Sequence, residues 1–183
     1  MPRNGPHQSS RPMPTAAALY HRAMAVRTSA GILLYRRSDP AGRLEVLLAH
    51  PGGPYFVNRD LGDWTIPKGE PDGAAEGLPA VARREFAEET GHLLDADVAM
   101  VELGTIVQKG GKVVHAWAVE GDLDPTTARS NEFDVEWPPR SGRRVRFPEI
   151  DRVEWFEPDE ARRRIKPTQV PLIDRLEDAL DGR

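Results

Sequence analysis

The chain has 183 residues, 39% of them hydrophobic and 30% charged, which is enough for one domain of ordinary size plus tails. Its formal net charge of −4 argues against a mainly electrostatic nucleic-acid binder, which is usually basic, so no stable nucleic-acid partner is expected. The absence of cysteine excludes a disulfide scaffold, a thiol nucleophile, an iron–sulfur cluster and a thiolate zinc site.

Residues 1–25 read as a disordered leader; Met1 to Ser10, rich in Pro, Gly, Ser and Asn, lack the basic-then-apolar order of a signal peptide. No apolar run approaches the roughly 18 residues of a membrane span. A cytoplasmic location and no membrane partner are expected. Residues 26–183 read as one domain. Thr28–Tyr35 is a buried strand, Arg36–Arg43 a turn around Asp39, Pro40 and Gly42, and Leu44–His50 a second strand. A long loop, Pro51–Asp63, carries Tyr55 and Phe56, and Trp64-Thr65-Ile66 is a short strand stopped by Pro67. Pro67–Gly77 is a Gly/Pro-rich turn. Leu78–Thr90 is the clearest helix, with Pro79 in its first turn and Gly91 as its C-terminal cap. Val98–Val107 and Val113–Glu120 alternate as paired strands about Lys109-Gly110-Gly111-Lys112. Gly121–Pro148 is an irregular insertion with Arg140, Arg143, Arg144 and Arg146. Arg152–Phe156 is a last strand, and Pro158–Ile165 and Val170–Leu180 are helices, the second amphipathic through Leu172, Ile173, Leu176 and Leu180. Strands on both sides of one strong helix, with helices closing the chain, predict a mixed α/β (α+β) sandwich rather than a doubly wound sheet.

The chemistry concentrates between Gly69 and Gly91. At 100° per residue, Glu85, Glu88 and Glu89 fall within roughly one 100° sector that also holds Val81, with Ala82 and Phe86 beside it. Three like charges beside an apolar stripe are unfavourable: each like-charge pair one turn apart costs about 0.2–0.5 kcal/mol, and partial burial costs more. A divalent cation answers that charge. Mg²⁺ or Mn²⁺ prefers hard oxygen ligands, and carboxylates on successive turns can bridge one or two ions. Such ions suit phosphate chemistry, because they neutralise phosphate oxygens and acidify bound water. Arg84 can pair with a carboxylate or fork onto a phosphate. The plain alternative is a solvated face paired to Arg83 and Arg84. Against it stands the joint spacing of Gly69, Glu76, Arg84, Glu85, an apolar residue, Glu88, Glu89 and Gly91, whose chance agreement is on the order of 10⁻⁷ at average residue usage.

At these residues the sequence resembles the Nudix hydrolase family. Two departures are visible: six residues rather than five separate Gly69 from Glu76, and His92 stands at the closing apolar position. Trp64-Thr65-Ile66-Pro67-Lys68-Gly69 resembles the family's lead-in, and Ile150–Phe156 its late strand. The resemblance implies a Nudix-type α/β/α sandwich around a mixed sheet. It also implies Mg²⁺- or Mn²⁺-dependent hydrolysis of a pyrophosphate bond in a nucleoside diphosphate linked to another group. Carried over by position, Glu85, Glu88 and Glu89 correspond to metal ligands, Gly69 to the glycine whose carbonyl approaches the metal, Arg84 to the arginine that orients the glutamates, and Glu76 to the outer glutamate that supports them. Among these, Glu88, Glu89 and Arg84 are read as catalytic. Glu149, before the late strand, is the candidate general base, with Glu132 and Glu136 as rivals.

Other residues are read on their own chemistry. Lys68, Lys109 and Arg144 are candidate phosphate contacts, with Lys112 beside Lys109 and Arg140, Arg143 and Arg146 beside Arg144. Tyr55 and Phe56 are candidate stacking surfaces for a base, and Trp64 a weaker one. His50 and His115 are read as structural, and His92 as a helix C-terminal residue. Trp137 and the sheet edges offer surfaces for a homodimer. The alternative function is a nucleotide-sensing module that binds without cleaving. It has no need to keep all three glutamates, and none is missing here.

Overall fold

The computed structural model describes residues 27–38, 42–73 and 75–182, so the expected leader, 1–25, lies outside the described residues. Two strands open the chain, β1 (Thr28–Ser38) and β2 (Arg43–Pro51). They are followed by a two-residue strand, β3 (Lys68–Gly69), and the helix α1 (Leu78–Thr90). After α1 come β4 (Met100–Val107), β5 (Val113–Glu120), β6 (Glu132–Glu136), β7 (Arg144–Pro148) and β8 (Ile150–Phe156). Two helices, α2 (Pro158–Arg164) and α3 (Val170–Asp181), end it.

Residues 30–35 of β1 are buried without interruption, the signature of a central strand covered on both faces. The sheet runs in the order β4-β5-β1-β2-β8, with β3 also paired to β1. It is mixed, because β1 and β5 are parallel while the other pairs are antiparallel. The two-residue period sorts β1 between layers. Ala30, Ile32 and Leu34 pack with Val81, Ala82 and Phe86 of α1. Leu33 and Tyr35 pack with Ala161 and Ile165 and with Leu172, Ile173 and Leu176 of α3. The expected α/β/α sandwich is thereby present.

The sheet is split where it matters. β1 and β2 pair only from Tyr35–Val46 to Ser38–Arg43, and beyond that point the segment 64–69 wedges between them. Ala49 pairs with Thr65 on the β2 side, while Ile32 N–H donates to the Pro67 carbonyl at 3.0 Å and Ala30 stands opposite Gly69 on the β1 side. The expected strand Trp64–Ile66 is therefore corrected: it is two isolated bridges, Ala49–Thr65 and Trp64–Ile165, and the ladder forms two residues later. Pro67 has no N–H to continue a ladder, and the segment serves different partners at each step.

The wedge is held from below by Gln169, which is fully buried. Its Oε1 accepts from Ile66 N–H at 3.0 Å, and its Nε2 donates to Thr65 Oγ1 at 2.8 Å. The sequence does not point to Gln169, because a glutamine before a helix carries no local signal of burial. Gln169→Ala leaves Ile66 N–H without its acceptor and opens a cavity, a loss of about 3 kcal/mol. We expect a Tm about 5–10 °C lower in a thermal melt.

Several boundaries also move. β1 runs through Ser38 and β2 starts at Arg43, so the turn is shorter than Arg36–Arg43. β4 starts at Met100 rather than Val98. The insertion expected to be irregular contains a two-stranded ribbon, in which Glu132–Pro148 through Glu136–Arg144 pair antiparallel. Its two-residue period is present in the sequence, with Phe133 and Val135, and Val145 and Phe147, alternating with Glu132, Asp134, Glu136, Arg144 and Arg146, but each run is only five residues long and lies in a stretch broken by Pro138, Pro139 and Gly142. Among the described residues no helix is long and apolar enough to cross a membrane.

Candidate active site

Helix α1 matches its expected limits, and its end explains why. Gly91 adopts φ 74°, and its N–H closes the last turn on the Ala87 carbonyl at 2.8 Å. That left-handed cap suits glycine. With Val81, Ala82 and Phe86 buried against β1, the adjoining sector of the helix faces the wedge at Lys68–Gly69.

Glu89 is buried, with 9% of its surface exposed, and its Oε2 accepts from Lys68 N–H at 3.0 Å. The Glu85 carboxylate lies directly over Gly69: a Cβ built there would stand 2.0 Å from Glu85 Cδ. Only glycine lets the two approach so closely. Glu88 is more open, and its backbone carbonyl accepts from Asn131 N–H at 3.0 Å, which ties the foot of the ribbon to the helix. Arg84 gathers the acids. Its Nε and Nη2 donate to the two oxygens of Glu76 at 2.9 and 3.1 Å, its Nη1 to Glu85 at 2.9 Å and to Glu88 at 3.3 Å, and its Nη2 to the Glu70 carbonyl at 3.0 Å. The fork onto Glu76 is bidentate, a geometry lysine cannot reproduce.

The electrostatics follow from burial. Burial pushes the Glu89 carboxyl up to about 7 against the pull of Lys68, with the Glu85 and Glu149 charges adding to the rise. Burial also raises Glu85, although Arg84 opposes it. The Arg84 guanidinium holds Glu76 below the usual carboxylate range, and in return Glu76 first, then Glu85 and Glu88, hold Arg84 more firmly protonated than usual. Lys68 is pushed down by burial.

Among the described residues no three acidic or histidine side chains form a ready-made cation cage. Arg84 reaches Glu85 and Glu88, while Glu89 turns to Lys68. The donor set nevertheless fits a hard divalent ion: three carboxylates in one sector, two of them raised by burial, favour exchange of a shared guanidinium for a doubly charged cation.

The remaining candidates are placed as follows. Glu149 is exposed at the foot of the ribbon, close enough to raise both Glu85 and Glu89. Its N–H donates to the Asn131 carbonyl at 2.8 Å. Glu132 stands in the ribbon opposite Pro148, and Glu136, farther out, accepts from Gly142 N–H at 2.8 Å. Arg144 pairs across the ribbon with Glu136, and its Nη2 donates to the Asp134 carbonyl at 3.3 Å. Tyr55 is 55% exposed and meets Trp137 edge-on at 5.3 Å. Phe56 is half-buried beneath Arg59. Trp64 is fully buried, with its Nε1 donating to Asp60 at 2.8 Å, so the weaker stacking expectation for it is corrected. Lys109 is exposed on the β4–β5 hairpin, and Lys112 pairs with Glu70 at 3.0 Å. His50 is buried between Asp151 Oδ1 at 2.8 Å and the Arg59 carbonyl at 2.6 Å, holding the 51–63 loop. His115 is half-buried within β5. His92 packs edge-on against Phe86 at 6.3 Å. Lys166, not singled out from sequence, lies within electrostatic reach of Lys68 and Glu89. The available signal was its rarity, since the chain has only four lysines.

The NUDIX domain family model matches residues 23–176. No curated protein matches the chain. Solved structures with the same fold include an Ap4A hydrolase from C. elegans in a binary complex: 22% identity, TM-score 0.60, 85% of this chain and 99% of that one covered. They also include the NUDIX domain of NrtR from Shewanella oneidensis with ADP ribose: 17% identity, TM-score 0.60, 92% and 99% covered. A third is a mutT/nudix family protein from Listeria innocua: 17% identity, TM-score 0.56, 85% and 94% covered. With most of its length matched by that model, the chain belongs to the Nudix family.

Proposed function

We propose that the protein is a divalent-metal-dependent pyrophosphohydrolase acting on a nucleotide in which a nucleoside diphosphate is linked to a second group. The observation that carries this reading is the Glu85 carboxylate seated on Gly69 beside the buried Glu89. Glu85, Glu88 and Glu89, with the Gly69 carbonyl, would hold Mg²⁺ or Mn²⁺, which when bound neutralises phosphate oxygens and acidifies water. The chain's own residues do the rest. Arg84, braced by Glu76, sets the glutamate rotamers. Glu149 takes a proton as water oxygen bonds to phosphorus, and the P–O bond to the departing phosphate breaks with its electrons. Lys68 neutralises charge on the phosphates. Ap4A, for which the C. elegans hydrolase is named, and ADP ribose, held by the NrtR domain, both contain such a P–O–P bond and support this substrate class.

The test is a panel of nucleoside triphosphates, dinucleoside polyphosphates, ADP ribose and nucleotide sugars, each incubated with and without Mg²⁺. Phosphate-containing products should form only with the metal and should fall by roughly 100-fold or more for Glu88→Gln. In a thermal melt, Mg²⁺ should raise the wild-type Tm by mass action and shift Glu88→Gln less. Absence of product across the panel overturns the hydrolase reading, and tight binding without turnover would favour the sensing module.

A further inference from the structure

Only four of the 25 Lys and Arg residues are lysine, and the fold brings Lys68, Lys112 and Lys166 within electrostatic reach of one another. Lys68 is in the wedge, under Glu89. Lys112 immediately precedes β5 in the β4–β5 hairpin and pairs with Glu70, two residues past Lys68. Lys166 follows α2 and is fixed by its backbone, whose N–H donates to the Trp64 carbonyl at 2.8 Å. Lys109 sits on the hairpin tip. Lys109 and Lys166 line one cleft of about 330 Å³ together with Gly62, Asp63, Gln108 and Thr168.

Among the described residues the two ammonium groups of the cleft have no direct ion-pair partner there: neither Lys109 nor Lys166 has a salt bridge, and Asp63, the one acid lining the cleft, is engaged by Arg59 at 3.7 Å. Lys166 is half-buried, and Lys68 and Lys112 repel it while Asp63 and Glu89 partly offset them. Arginines such as Arg36, Arg84, Arg162 and Arg164 are paired with carboxylates, whereas these ammonium groups are compact point charges suited to phosphate oxygens. Lys166 thus stands between the cleft it shares with Lys109 and Lys68 at the glutamates, an order of cations that suits a chain of phosphates.

We propose that this cleft seats the outer part of a phosphate chain, so that the protein prefers ligands with at least three phosphates in a row, with Lys166 and Lys109 contacting those beyond the pair held at the helix glutamates. The proposal rests on the pyrophosphate reading of the site and names its substrate class.

Binding is measured by calorimetry in Mg²⁺ with analogues that cannot be cleaved: ATP with methylene groups in both bridges, and ADP with one. Inorganic tripolyphosphate is a third arm, which separates capture of a bare phosphate chain from capture of a nucleotide. Wild type should bind the triphosphate analogue about 10-fold or more tightly than the diphosphate analogue. Lys166→Met, which keeps the length of the stem, and Lys109→Met, on an exposed hairpin tip, should each remove most of that preference and leave diphosphate affinity within about two-fold. If wild type shows no preference, if neither variant changes it, or if both analogues weaken equally, the proposal is overturned. Because no turnover is involved, an inactive wild type with an intact, lysine-dependent preference would sink the hydrolase reading and leave this one standing.

Discussion

Glu89→Gln should cut hydrolysis by orders of magnitude while making the metal-free protein more stable than wild type at pH 8. Glu89 is buried and its carboxyl is pushed up to about 7 from an ordinary 4.5. An acid whose folded pKa lies above its unfolded one binds its proton more tightly when folded. Its ionisation therefore costs stability, beginning as pH rises past about 4.5 and complete above about 7, where the cost reaches about 3 kcal/mol. Glutamine keeps an oxygen for Lys68 N–H but has nothing to ionise. Urea melts in EDTA from pH 4.5 to 8.5 should show the two proteins alike at the acid end and diverging through pH 7, with the variant the more stable. Turnover with Mg²⁺ should fall by about 10²–10⁴, the usual range for losing a group that acts on the reacting atoms. A stability gap that is flat with pH would mean that Glu89 is not the buried acid described here.

Gly69→Ala should remove most activity and leave the fold almost unchanged. The added Cβ would stand 2.0 Å from the Glu85 carboxyl carbon and its nearer oxygen. Those atoms are the far end of a flexible side chain, so Glu85 swings aside at little cost and the backbone need not move. The expected change in stability is within about 1 kcal/mol. Displacing one ligand by an ångström or more is expected to cost about 10²-fold in kcat/KM, because positioning of that accuracy is what the site supplies. The pairing of a small ΔTm with a large kinetic loss is the diagnostic. Equal losses in both would mean that Gly69 serves the strand pairing with Ala30 and not the site.

How much of this is legible in the sequence depends on the range of the interaction. Helix α1 is readable to the residue because its stripe, its Pro79 and its Gly91 are all local. Strands β1 and β2 are readable as apolar runs. The convergence of Glu85, Glu88 and Glu89 on one sector also follows from helical geometry alone. What the sequence hides is tertiary. Trp64–Ile66 reads as a short strand stopped by Pro67, but the segment 64–69 changes partners from Ile165 to Ala49 to β1 within six residues. The β6–β7 ribbon carries a two-residue period, but in five-residue runs on either side of a Pro- and Gly-containing turn that reads as irregular. Gln169 and Lys166 matter only because α2 and the turn after it bring residues 164–169 beneath the wedge. A bracing role for Arg84 is expected from its position. Its simultaneous grip on Glu76, Glu85, Glu88 and the Glu70 carbonyl needs the turn to fold back over the helix, which no spacing rule states.

The most direct measurement is anomalous diffraction from crystals equilibrated with Mn²⁺. A peak bounded by the Glu85, Glu88 and Glu89 carboxylates and the Gly69 carbonyl is expected, with Arg84 withdrawn from Glu85 or Glu88 and still forked onto Glu76. Saturating Mn²⁺ with no peak there, and Arg84 still joined to both Glu85 and Glu88, would contradict it.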